Sequence, residues 1–137
     1  MPVTPVDTPN APPVAGPYSP AVRCGDWLVL AGQVGLDPAS GKLADGVDAQ
    51  ARQVFKNLRA VAQAAGGELD DVVKLTLLLA DLGDFVLVNE IMAGFFSAPF
   101  PARATYQVVA LPKGARIEVE AVLVLDAGLR VGQDARP

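Results

Sequence analysis

With 137 residues, 51% of them hydrophobic and 19% charged, the chain is the size of one domain with its own core and is far too apolar for a disordered segment. Lys and Arg number 11 against 15 Asp and Glu, and the resulting net charge of −4 leaves no basic field for a nucleic-acid backbone or an anionic lipid surface. There is no histidine and a single cysteine, Cys24, which excludes Ser-His-Asp and Cys-His nucleophiles, histidine-ligated metals, multi-cysteine zinc sites and an internal disulfide.

In chain order, seven of the twelve prolines fall within residues 1–20, so residues 1–13 are predicted as an extended leader, followed by a domain over 14–125 and a loose tail over 126–137. The leader has proline where a signal peptide would have its apolar core, and no apolar run is long enough to span a bilayer. A soluble, cytoplasmic protein is expected. Gly25-Asp26 between two apolar stretches predicts a hairpin whose second strand runs to about Val34, and Leu36 to Lys42 reads as a turn. From Asp48, taken as an N-cap, Ala51, Val54, Phe55, Leu58, Val61, Ala62 and Ala65 recur at helical spacing up to Gly66-Gly67. A strand is predicted over Val72 to Ala80. A second helix is marked by Phe85, Val88, Ile91, Met92, Phe95 and Phe96 and ends before Pro99. Arg103 to Val109 and Ala115 to Leu125 form two more strands around the turn Leu111-Pro112-Lys113-Gly114.

The order β-β-α-β-α-β-β predicts an α+β domain with two helices on one face of a mixed sheet. Both faces of the last strand carry apolar residues: Ile117, Val119, Ala121 and Leu123 on one, Val122 and Val124 beside Glu118 and Glu120 on the other. Two helices cover one face only, so the second is predicted to be an interface between copies. The alternative is that loops and the leader cover it.

Few stretches carry chemistry. Gly35 with Gly41-Lys42 fails as a phosphate loop in spacing and in lacking the Ser/Thr, and no dinucleotide fingerprint occurs. Cys24 reads as a small strand residue and Lys74 as a solvated or channel-lining one. The informative stretch is Ala98-Pro99-Phe100-Pro101-Ala102-Arg103-Ala104-Thr105-Tyr106, in which two prolines bring Arg103 onto a rigid strand among apolar neighbours. Its guanidinium requires a planar anion. The residues alone leave two open: a structural glutamate, Glu118 or Glu120, or the carboxylate of a small acid, with a nearby glutamate handling a proton or water.

Gly16-Pro17-Tyr18-Ser19-Pro20-Ala21, Leu30-Ala31-Gly32-Gln33-Val34, Asp37-Pro38-Ala39-Ser40-Gly41, Val88-Asn89-Glu90, Pro101-Ala102-Arg103, Leu111-Pro112-Lys113 and Ile117-Glu118-Val119-Glu120-Ala121 stand in an order that resembles the reactive-intermediate deaminase family (RidA, also called YjgF) over roughly residues 10–125. The resemblance implies a chorismate-mutase-like fold, a homotrimer with sites between subunits, and hydrolysis of enamines and imines such as 2-aminoacrylate and 2-iminobutanoate to 2-keto acids and ammonia. It implies that Arg103 clamps the substrate carboxylate and that Glu120 positions or deprotonates water. Tyr18 and Asn89 would line the pocket, with the backbone at Ala31-Gly32 and Thr105 supplying polar contacts. No metal or cofactor is implied, because an imine is already electrophilic, and the partners expected are a small 2-imino or 2-keto carboxylate and further copies of the chain, with no nucleic acid and no membrane. Many members have Ser at the position of Ala31 and Cys at that of Thr105, which bears on substrate choice. Two competing readings are a non-catalytic trimer that binds small carboxylates or acts as a chaperone, and an endoribonuclease or translation inhibitor; the acidic balance and the missing histidine weigh against the latter.

Overall fold

Strand alternation and the helical repeat sort the apolar side chains onto one side of a mixed sheet in the computed structural model, which describes residues 2–125. The elements are β1 (Thr4–Pro5), β2 (Ala21–Cys24), β3 (Trp27–Val34), α1 (Gly46–Ala64), β4 (Val72–Leu79), α2 (Phe85–Ala93), β5 (Ala102–Gln107) and β6 (Ile117–Val124). The six strands are ordered β1-β2-β3-β6-β4-β5. All neighbours are antiparallel except β4 and β5, which run parallel because α2 carries the chain across between them. The predicted order is present, with one strand added at its start: Thr4 and Pro5 of the extended leader pair with Arg23 and Val22 at the sheet edge. An edge is the place where proline, lacking an N–H, is tolerated in a sheet. The tail expected from residue 126 lies outside the described residues.

The hairpin turns at Gly25, whose φ of 61° is open to glycine at little cost. Helix α1 starts earlier than the sequence suggests, with Asp45 rather than Asp48 as its N-cap. Asp48 instead stands in the first turn, where its charge suits the helix dipole, and it forms a 2.7 Å ion pair with Arg52. Helix α2 ends at Ala93, before the two phenylalanines expected in it. Phe95 and Phe96 follow the helix and meet the ring of Phe55 from α1 at centroid separations of 5.4 and 5.8 Å.

The core lies between the helices and one face of the sheet. Leu28 and Leu30 of β3, Leu75, Leu77 and Leu79 of β4, and Ile117, Val119, Ala121 and Leu123 of β6 are buried there against Ala51, Val54, Phe55, Leu58, Val61 and Ala62 of α1. Two buried polar side chains of α1 fix it to the sheet. The Asn57 Nδ2 donates to the carbonyls of Val34 and Leu36, and the Gln50 Oε1 accepts from the Arg116 backbone N–H at 2.7 Å. They tie down the chain leaving β3 and the chain about to form β6, the two strands that carry one half of the candidate site.

Among the described residues, no helix covers the opposite face. Trp27 and Val29 of β3 and Tyr106 of β5 are exposed on it, beside half-buried Leu78, Val122 and Val124. The leader does not cover it, since Ala11 and Val6 pack into the core. Among the described residues, no helix is long and apolar enough to cross a membrane.

Candidate functional site

Arg103 pairs with Leu75 across β5 and β4, so its side chain emerges on the helix side of the sheet, at the edge strand. There it meets one stripe of α2. Its Nη1 donates to the Asn89 Oδ1 at 2.6 Å and lies 3.6 Å from the Met92 Sδ, and its Cζ sits 5.1 Å from the ring centroid of Phe85. Phe85, Asn89 and Met92 are four and three residues apart, a spacing that puts all three on one helix face. The ring and the two Nη1 contacts together hold the guanidinium in place. The Nε and Nη2 edge has no hydrogen-bond partner among the described residues. That edge is the fork that grips a carboxylate with two parallel bonds.

The structural alternative raised for Arg103, an ion pair with Glu118 or Glu120, is absent among the described residues. Geometry explains why. Glu120 pairs with Thr76, and Thr76 with Ala104, so Glu120 projects from the open face while Arg103 projects from the other. One intervening strand, β4, and the thickness of the sheet separate the two side chains within one copy. Thr105, two residues after Arg103, shares its side of β5, and its Oγ1 is buried without a hydrogen-bond partner.

The remaining residues gather on the open face around an irregularity in β3. Leu30 pairs with Ala121 and Gln33 with Val119, so Ala31 and Gly32 together stand opposite the single residue Glu120. This two-against-one arrangement is a β-bulge, a device that interrupts the ladder and redirects its groups. The Ala31 N–H turns away to the carbonyl of Pro20, which draws the Tyr18 segment alongside. Tyr18 itself is exposed. A Cβ on Gly32 would fall 2.5 Å from the Glu118 Oε2, so the carboxyl of Glu118 occupies the notch that glycine leaves. Glu118 is half-buried, and burial first, then the neighbouring charge of Glu120, pushes its carboxyl above the ordinary carboxylate value.

The seven residues predicted from the sequence thus fall into two groups. Arg103, Asn89 and Thr105 lie together at the β5 edge beside α2, and Glu120, Ala31, Gly32 and Tyr18 lie around the β3 bulge. One copy of the chain does not bring the groups together. Sequence reasoning missed Phe85 and Met92, which it took as core markers, although their spacing from Asn89 was the available signal. It also missed the placement of Glu118, for which the glycine in Ala31-Gly32 was the only hint.

A model of the family described as Endoribonuclease L-PSP matches residues 8–125. The chain is 52% identical over 125 residues to a RutC family protein of Sinorhizobium fredii, covering 90% of this chain and 98% of that one. It is 50% identical over 120 residues to the human 2-iminobutanoate/2-iminopropanoate deaminase, covering 87% and 88%. Among solved structures, RidA from the Antarctic bacterium Psychrobacter superposes with a TM-score of 0.86 at 47% identity, covering 87% of this chain and 97% of that one. E. coli TdcF with bound serine superposes with a TM-score of 0.87 at 35% identity, covering 90% and 99%. With its order of strands and helices and these relatives over nearly its whole described length, the chain belongs to the RidA (YjgF) deaminase family.

Proposed function

We propose that the chain hydrolyses 2-imino acids and their enamine tautomers, of the 2-iminobutanoate and 2-aminoacrylate type, to 2-keto acids and ammonia, at sites formed between copies in a homotrimer. The observation that carries this reading is the state of Arg103: a half-buried guanidinium oriented by Phe85, Asn89 and Met92, with no hydrogen-bond partner at its bidentate edge and no ion pair among the described residues. A cation held so is completed by a small carboxylate from outside its own chain. The relatives named as 2-imino acid deaminases and the solved relative with serine bound agree with a small α-substituted acid as ligand.

In this reading the open sheet face, with Trp27, Val29, Val122 and Val124, packs against the next copy and carries the Glu120 group of one subunit to the Arg103 edge of its neighbour. Arg103 binds the carboxylate and fixes the adjacent imine carbon. Glu120 holds a water at that carbon and takes its proton as the C–O bond forms. The backbone at Ala31-Gly32 supplies polar contacts at the bulge, the Thr105 hydroxyl supplies one beside the clamp, and Tyr18 and Asn89 line the pocket. Binding and proton handling suffice for a substrate that is already electrophilic. The pocket works without a cofactor in this scheme, and the absence of histidine costs it nothing.

The test is competition with semicarbazide for 2-imino acids made in place by an amino-acid oxidase. The assembled protein is expected to cut semicarbazone yield in proportion to its concentration. Unchanged yield across several 2-imino acids, with 2-keto acid binding retained, would replace this reading with that of a non-catalytic carboxylate-binding trimer.

A further inference from the structure

Helix α2 carries the three side chains that hold Arg103, yet the core grips only part of it. Val88, Ile91 and Met92 are buried, whereas every residue from Asp81 to Leu87, Phe85 among them, is exposed or half-buried. A segment with so few buried apolar contacts takes its position from polar links. Two side chains supply them. The Gln107 Oε1, at the end of β5, accepts from the Leu82 N–H at 2.9 Å, and the Arg116 Nη2 donates to the Asp84 Oδ2 at 2.8 Å. Arg116 is itself anchored: its backbone N–H donates to the buried Gln50 of α1, and its carbonyl accepts from the Ala80 N–H just beyond β4. Asp84 stands at the N-cap of α2, where an aspartate ordinarily accepts from the helix's own N–H groups, and here it makes no such bond. Its side chain, 18% exposed, turns to Arg116 instead. The next residue is Phe85, whose ring centroid lies 5.1 Å from the Arg103 Cζ. A shift of this first turn therefore moves the ring relative to the guanidinium.

We infer that Asp84 and Arg116 are positioning residues for the carboxylate clamp: their ion pair fixes the first turn of α2, and with it the Phe85 ring that holds the Arg103 guanidinium in its binding orientation before a ligand arrives. The inference rests on the reading of Arg103 as that clamp. Neither residue of the pair touches the substrate, and both act through Phe85. A partly exposed ion pair adds little to the stability of a whole domain. Its effect falls on the order of one binding group, because a guanidinium already oriented loses less freedom when a carboxylate binds. Once bound, the carboxylate holds the guanidinium through its own two bonds, so losing the pair weakens affinity and leaves turnover of bound substrate nearly unchanged.

The experiment measures kcat and KM for a 2-imino acid, and the dissociation constant of a 2-keto acid by calorimetry. The proteins are wild type, Asp84→Asn, Arg116→Gln, Arg116→Lys, and Phe85→Ala with and without Asp84→Asn. Asp84→Asn and Arg116→Gln are each expected to raise KM and the dissociation constant about fivefold, with kcat within about twofold of wild type. Arg116→Lys keeps the charge and is expected to bring both constants back to within about twofold. Because the pair acts through Phe85, Asp84→Asn is expected to change little once that ring is gone, a non-additivity that a general loosening of the fold does not produce. Arg116→Gln decides the matter from the other side of the pair if Asp84→Asn does not assemble. Wild-type affinity in the variants of the pair, or the same loss with and without the Phe85 ring, would overturn the positioning role alone. A wild type that binds no 2-keto acid would overturn the clamp and this role with it.

Discussion

Arg103→Ala lowers kcat/KM for 2-imino acids by about 10² to 10⁴-fold, because it removes two charge-assisted bonds to the carboxylate worth about 1.5–3 kcal/mol each. The fold is expected to tolerate the change. Arg103 sits on an edge strand and takes part in no ion pair among the described residues, so truncation breaks contacts to Asn89, Met92 and Phe85 without orphaning a buried countercharge. Arg103→Lys restores little. An ammonium has no fork, and it cannot hold Asn89 and a carboxylate in one plane as the guanidinium does. Steady-state kinetics together with calorimetric titration of a 2-keto acid check both statements. Full turnover by Arg103→Ala on a carboxylate substrate would show that the clamp lies elsewhere.

Glu120→Gln acts on the other half of the reaction. Gln keeps the size of Glu and can still hydrogen-bond a water, but it cannot accept that water's proton. The expected result is a loss of about 10² to 10⁴-fold in kcat with the dissociation constant of a 2-keto acid changed by less than about threefold. Because Glu120 faces away from the core, thermal stability of the variant should match wild type. The opposite split, with ligand binding lost and turnover of bound substrate kept, would make Glu120 a binding residue.

Much of the fold is legible in the sequence because periodicity reports which side of an element is buried. The beat of Ala51, Val54, Phe55, Leu58, Val61 and Ala62 leaves little choice but a helix packed on one side. The two-faced apolar pattern of Ile117 to Val124 similarly exposes the uncovered sheet face. What periodicity does not report is local chemistry at ends and edges. The start of α1 moved from Asp48 to Asp45 because either aspartate can occupy a first turn. Thr4-Pro5 looked like leader and nothing more, since a two-residue edge pairing leaves no pattern to read. In the site, Arg103 was conspicuous as a charge among prolines and alanines. Its surroundings were not, because Phe85 and Met92 look the same in a sequence whether they fill a core or orient a guanidinium. The notch at Gly32 depends on a bulge, which pairs residues by a register no single strand reveals.

The central proposal is that catalysis needs Arg103 of one copy and Glu120 of another, a reading supported by their positions on opposite faces of one sheet. The direct measurement is complementation between Arg103→Ala and Glu120→Gln, co-expressed so that their subunits mix and compared with the two variants purified apart, with imine hydrolysis read as loss of semicarbazone. In randomly mixed trimers, about one site in four joins an intact Arg103 to an intact Glu120 across an interface. The account predicts recovery of about a quarter of wild-type activity in the mixed assembly and near-background activity in each variant alone. A mixed assembly as inactive as its parents would contradict it, placing both residues' roles within a single chain or outside the reaction.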